Sequence, residues 1–232
     1  MKIIITHGSG GPGTAEWNAS SFFEEMGYDV EVKDYFVDFD IRSLRWCDSP
    51  EHKQDAFDIT YKEMFDSIQL PEDEDLIHIG FSLGGFFGLY KAEKFKKNYL
   101  FYPGVQGITQ ELLEKDYSNT SVIFGSEDKG QSKYNAFKEQ CKNPPLAHYS
   151  LKDAHHAFMV SNIDMEFSMT RYNTIGKIMD EQEFAELKPN HKFMSERYGY
   201  SNEKTILRSH HDYRNQYLQI IGEEISEAFP RI

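Results

Sequence analysis

Between residues 2 and 151, short apolar runs alternate with segments whose apolar residues recur at helical spacing. That alternation leaves few folds open. Residues 2–6 (KIIIT) form an apolar run that ends at a glycine-rich loop, the pattern of a strand buried on both faces. Residues 14–26 carry Trp17, Phe22, Phe23 and Met26 at helix-like intervals, Gly27 closes them, and 28–33 (YDVEVK) reads as a second strand. A long loop over 35–50 and a helix over about 51–68 follow. The pattern then predicts strands over 75–80, 98–102, 119–124 and 146–151, separated by helices over 83–94, 109–115 and 131–142. Strand and helix in succession predict a three-layer α/β/α sandwich around a mostly parallel sheet of about six strands. Functional groups in such sheets gather at the carboxyl ends of the strands. After residue 158 the alternation stops: 160–205 reads as irregular, a cap or insertion, and 211–229 as a terminal amphipathic helix. The 232 residues fit a single domain over 1–232.

Composition excludes several classes. A formal net charge of −13 argues against a broad nucleic-acid or anionic-membrane surface. The apolar runs are too short and too interrupted by charge to span a bilayer, and the first residues read as a strand rather than a signal peptide. Two cysteines far apart, Cys47 and Cys141, do not make a disulfide scaffold or a cysteine zinc site, and suggest a reducing, cytoplasmic setting.

Gly80-Phe81-Ser82-Leu83-Gly84 places a lone hydroxyl between glycines, after a predicted strand and before a predicted helix. A nucleophile on so sharp a turn needs a strained backbone and small neighbours two residues away, and the helix start favours negative charge beside it. A serine alcohol also needs a base, and the base an orienting acid. The strand over 119–124 runs into Gly125-Ser126-Glu127-Asp128, and the strand over 146–151 into Asp153-Ala154-His155-His156-Ala157-Phe158. Both loops fall on the same sheet edge as Ser82, in the order serine, acid, histidine. A capping serine, a solvated turn aspartate and polar loop histidines explain each position singly, but not their joint order.

Through GFSLGG at 80–85, FYPG at 101–104, GSED at 125–128 and AHHAF at 154–158, the sequence resembles the α/β-hydrolase superfamily, and within it the dienelactone hydrolase family. The resemblance covers residues 2–158 and the final helix. It implies a compact α/β-hydrolase fold. It also implies that Ser82 is the nucleophile, His156 rather than His155 the base, and Asp128 rather than Glu127 the acid. It implies an oxyanion hole made by the backbone N–H groups of Leu83 and Ser9. The activity implied is hydrolysis of an ester, lactone or thioester of a small molecule, without cofactor or metal, by a monomer or homodimer. Dienelactone hydrolases proper carry cysteine where this chain has Ser82, which points to the esterase-like members.

A rival reading uses the first loop. Gly8, Gly10 and Gly13 match G-x-G-x-x-G after a strand, and Asp34 lies where a ribose-binding acid is expected, as in a dinucleotide-binding protein. Pro12 weakens this, because it has no N–H to offer a pyrophosphate. A non-catalytic hydrolase-like binding protein is a third class. His7 and, in the 35–50 loop, Arg42, Arg45 and Trp46 are candidates for substrate contact, an arginine there suiting a carboxylate. Surface ion pairing is the plainer role for those arginines. Met165, Phe167, Met169, Tyr172, Met179, Phe184, Phe193, Met194 and Tyr198 are candidates to line an apolar pocket under a cap, or equally to pack a small core of their own or a dimer contact. His191, His210 and His211 lack metal-ligand spacing.

Overall fold

The structure, a computed structural model, describes residues 1–44, 58–72, 75–174 and 177–229, without the side chains of 167–170 and 191. Helix α1 (Thr14–Glu25) joins strand β1 (Lys2–Thr6) to β2 (Asp29–Lys33). Helix α2 (Tyr61–Ser67) precedes β3 (Leu76–Phe81), and α3 (Leu83–Tyr90) leads on to β4 (Lys97–Phe101). A two-residue strand β5 (Ile108–Thr109) and α4 (Gln110–Glu114) come before β6 (Thr120–Gly125), and α5 (Gln131–Gln140) connects it to β7 (Ala147–Leu151).

Ile3, Ile4 and Ile5 are completely buried, as are Ile77 and Ile79. Neighbouring strand residues point to opposite faces, so such runs need cover on both sides. They receive it at the middle of an all-parallel six-stranded sheet ordered β2-β1-β3-β4-β6-β7. On β4, Tyr99 hydrogen-bonds Glu224 of the terminal helix on one face, while Asn98 reaches the Gly88 carbonyl of α3 on the other, each at 2.9 Å. The sheet therefore lies between two helical layers. The chain leaves β1 toward β2 but leaves β3 toward β4, so the strand order reverses between β1 and β3. A crevice opens at the carboxyl ends of strands flanking such a reversal.

The stretch after residue 158 is not irregular. Strand β8 (Asp164–Tyr172) and, after the two-residue β9 (Ile178–Met179) and helices α6 (Glu181–Ala185) and α7 (His191–Tyr198), strand β10 (Tyr200–Arg208) pair antiparallel along their whole length. The final helix is α8 (His211–Ala228). Among the described residues no helix is long and apolar enough to cross a membrane. Cys47 and residues 51–57 of the expected 51–68 helix lie outside the described residues; the described remainder is helical over Tyr61–Ser67.

Candidate active site

Strand β3 ends at Phe81 and α3 begins at Leu83, so Ser82 alone makes the turn, at φ 52° and ψ −106°. Left-handed φ is costly for a residue with a Cβ and persists only when the surroundings hold it. Here the Ser82 N–H donates to the Phe101 carbonyl at 2.9 Å, the Ser82 carbonyl accepts from Gly104 N–H at 2.8 Å, and Gly84 N–H donates to the His7 carbonyl at 2.8 Å. The flanking glycines are required by space. A Cβ on Gly80 would lie 2.5 Å from the Gly84 carbonyl oxygen, and one on Gly84 would lie 2.4 Å from that of Thr6.

Beneath the turn runs a buried polar chain. Asn98 commits its amide nitrogen to Gly88, so its Oδ1 faces His78 Nδ1 at 2.7 Å, and His78 Nε2 lies 2.7 Å from Thr6 Oγ1. This geometry calls for a neutral ring protonated at Nδ1, and burial pushes the His78 pKa down to about 4.

The loops after β6 and β7 bring the acid and base to Ser82. His156 Nε2 lies 3.3 Å from Ser82 Oγ, and His156 Nδ1 lies 2.7 Å from Asp128 Oδ2. The other Asp128 oxygen accepts from Gly130 N–H at 2.8 Å. Burial alone would raise the Asp128 pKa. The charge and hydrogen bond of His156, the Gly130 amide and the charge of Arg171 outweigh it and hold the carboxyl below its ordinary value. Tyr102 packs against the imidazole at a tilt of 56° and a centroid distance of 4.8 Å, and Ala157, next to His156 in the chain, takes a positive φ of 64°. Glu127 stays exposed and bonds Ser126.

Ser82 and His156 open onto a cleft of about 710 Å³. Loop 8–13 forms one side. Among the described residues, neither the Leu83 nor the Ser9 N–H is hydrogen-bonded to the protein, and both residues line the cleft. The Ser9 carbonyl is tied back by Leu44 N–H at 2.8 Å. The opposite side is built from Lys133 on α5 and from Met165, Arg171 and Leu207 on the β8–β10 ribbon.

No family model and no curated protein matches the sequence. Among solved structures, a protein from Klebsiella pneumoniae subsp. pneumoniae provisionally named a dienelactone hydrolase superposes with a TM-score of 0.51 at 14% identity, over 68% of this chain and 75% of that one. Alpha/beta hydrolase domain-containing protein 10 from mouse superposes with a TM-score of 0.50 at 11% identity, over 69% and 83%. The chain has the α/β-hydrolase fold.

Within this hydrolase fold Met165 and Tyr172 line the cleft, whereas His7 and Arg42 do not. His7 is fully buried, stacked on Tyr35 at 4.0 Å, and bonded through Nδ1 to the Gly8 carbonyl at 2.7 Å and through Nε2 to Asp34 at 3.1 Å. It holds the loop from behind and is absent from the cleft lining. Arg42 is exposed and outside the lining; only its backbone matters locally, where its carbonyl packs on Gly11. Arg45 and Trp46 lie outside the described residues.

The dinucleotide reading of Gly8, Gly10 and Gly13 meets a physical obstacle. Glu16 on α1 reaches back into the loop and accepts from Gly13 N–H at 2.9 Å and Gly8 N–H at 3.4 Å. A carboxylate already stands where a pyrophosphate would need those donors. Burial raises the Glu16 pKa against the opposing pull of its own amide, Gly13, His7 and Gly8. Asp34 is turned onto His7 and the Phe36 N–H.

Sequence reasoning missed Glu16, Lys133 and Arg171. A glutamate three residues after the Gly13 cap is a capping signal. Lys133 sits four residues before the buried Phe137, hence on the inward helical face.

Proposed function

We propose that this chain is a serine hydrolase that cleaves a carboxylic ester, lactone or thioester of a small soluble substrate through an acyl-enzyme. The observation that carries this reading is the line from Asp128 Oδ2 through both ring nitrogens of His156 to Ser82 Oγ, with steps of 2.7 and 3.3 Å. Ser82 Oγ attacks the carbonyl carbon while its proton passes to His156 Nε2. Asp128 keeps the proton on Nδ1 and stabilises the imidazolium that forms. The amides of Leu83 and Ser9 receive the developing oxyanion. The tetrahedral intermediate collapses as Nε2 returns the proton to the leaving group. Water then gives a proton to His156 as it attacks the acyl group, and His156 passes that proton to Ser82 Oγ as the C–Oγ bond breaks and the acid leaves. The dienelactone hydrolase name given to the Klebsiella protein is in keeping with a lactone among the substrates. The two-cysteine content supports a cytoplasmic setting.

A fluorophosphonate probe tests the reading. The folded protein should be labelled, Ser82→Ala should take no label, and His156→Ala should be labelled several orders of magnitude more slowly. No labelling of folded protein would count for a non-catalytic binding protein on the same fold.

A further inference from the structure

We propose that Lys133 and Arg171 form an anion subsite in the Ser82 cleft, so that the substrate is an ester or thioester that also carries a carboxylate or phosphate group. This rests on the hydrolase reading of Ser82.

The two cations are unusual for where they stand. Lys133 is only 9% exposed. Its ammonium donates to Thr174 Oγ1 at 3.3 Å and, among the described residues, has no carboxylate within 4.0 Å. The Arg171 side chain makes no hydrogen bond among the described residues; its Nε is buried, and the closest carboxylate oxygen, on Glu203, is 3.7 Å away. Buried cations are normally paired, because an unpaired one loses its hydration without return. Among the described residues Glu203, at 3.7 Å from Arg171, is the one carboxylate within 4.0 Å of either cation, and Asp128 beyond it is already engaged by His156, so the pair makes a local positive spot in a protein of net charge −13. A guanidinium beside an ammonium suits an oxyanion with several acceptor atoms.

The spot faces the chemistry. Lys133 and Arg171 line the cleft that Ser82 and His156 open onto, and the charge of Arg171 reaches Asp128. Strand β6, whose following loop leads to Lys133, lies two ladder spacings from β3, or about 10 Å from the elbow. Glu16, the acidic residue of the lining, follows β1, which adjoins β3 on the side away from β6, and is engaged by the Gly8 and Gly13 amides. A bound substrate therefore has its carbonyl at Ser82 and its anion toward α5. Arg42 and Arg45 are the arginines the sequence offers for such a contact; Arg42 is outside the cleft lining and Arg45 outside the described residues, while Lys133 on α5 and Arg171 on the ribbon line the cleft.

The pH dependence follows from the same groups. Burial and the neighbouring Arg171 lower the Lys133 pKa to about 8, against the pull of Glu203. The groups facing it are Arg171, Glu203, Thr174 and, beyond them, Asp128 and His156. As pH rises through about 8, the free enzyme loses one of the two positive charges. The kcat/KM for anionic substrates then falls relative to that for neutral ones.

The test compares p-nitrophenyl half-esters of the diacids from succinic to suberic with their ω-carboxamide counterparts, and phosphate-bearing esters with their hydroxyl counterparts. The readout is the ratio of kcat/KM within each pair. The wild-type ratio should favour the anion by about ten-fold or more and decline above pH 8. Lys133→Met and Arg171→Met should each reduce it by about ten-fold, while Lys133→Arg keeps it and removes the decline. The arm with the larger ratio identifies the anion as carboxylate or phosphate. In parallel, glutarate and inorganic phosphate are titrated calorimetrically into Ser82→Ala, where binding should be lost on adding Lys133→Met. Neutral esters turned over with no anion preference, or a preference that both methionine variants retain, overturns the subsite alone. If folded protein turns over neither kind of ester, the hydrolase reading falls and the substrate class with it.

Discussion

A histidine buried without a charged partner is a pH liability, and His78 is one. In the native state its pKa is about 4, set by burial; in the unfolded chain it returns to the ordinary value of about 6.5. Between those values the unfolded state binds a proton that the native state does not, so stability falls as pH falls from 6.5 toward 4. A shift of this size corresponds to about 3 kcal/mol lost across the window. His78→Gln should flatten that segment of the stability-versus-pH curve, measured by urea denaturation at pH 4.5, 5.5 and 7. An unchanged slope would sink the argument. The same scale shows what a sequence discloses. Ser82, Asp128 and His156 could be read because each follows a strand end within a short motif. Lys133 and Arg171 could not be read as a pair: they become neighbours only through α5 packing and the ribbon register, 38 residues apart in sequence.

At the scale of elements, strand ends were legible and what they touch was not. Strand β1 occupies the residues its pattern indicates, whereas the helix expected over 83–94 stops at Tyr90 and gives way to a 3₁₀ turn over Ala92–Lys94. The larger error, 160–205 read as irregular, hid an alternation in plain sight: Met165, Phe167 and Met169 interleave with Glu166, Ser168 and Thr170. Its partner strand alternates poorly, and only pairing makes the two a ribbon. Gly125 shows how an element end sets the site. An added Cβ there would lie 2.1 Å from the Ala154 carbonyl oxygen and 2.4 Å from its carbon, both backbone atoms. Gly125→Ala must therefore push the Asp128 loop away from the His156 loop. It should cost about 1–3 kcal/mol of stability and, by opening the 2.7 Å contact, about a hundred-fold in kcat/KM. Gly222→Ala is the matched control, since its Cβ would meet the flexible Met26 side chain at 2.8 Å. Its kinetics on a neutral aryl ester should match wild type.

Over the whole molecule, the segment expected to act as a cap is better described as a strap fixed at both ends. At its root, Leu207 bridges to His156, His210 N–H donates to Phe158 at 2.9 Å, and Ser209 N–H donates to Ile163 at 2.8 Å. At its far end, Tyr61 N–H on α2 donates to Leu187 at 2.9 Å, β9 pairs with β5, and Phe184 packs edge-on against Phe86 of α3 at 6.2 Å. A strap so tied shapes the cleft rather than swinging over it, and its two jobs can be separated by residue. Phe184 is 2% exposed and anchors the strap, so Phe184→Ala should cost about 3–5 kcal/mol of stability. Met165 is 46% exposed yet lines the cleft, so Met165→Ala should leave stability within about 0.5 kcal/mol and move the preferred acyl chain of neutral aryl esters toward longer members. Denaturation midpoints and an acyl-length profile from acetate to octanoate measure both. A profile that Met165→Ala leaves unmoved would mean that the strap packs only upon itself, and that the cleft wall relevant to substrate lies on the glycine-loop side.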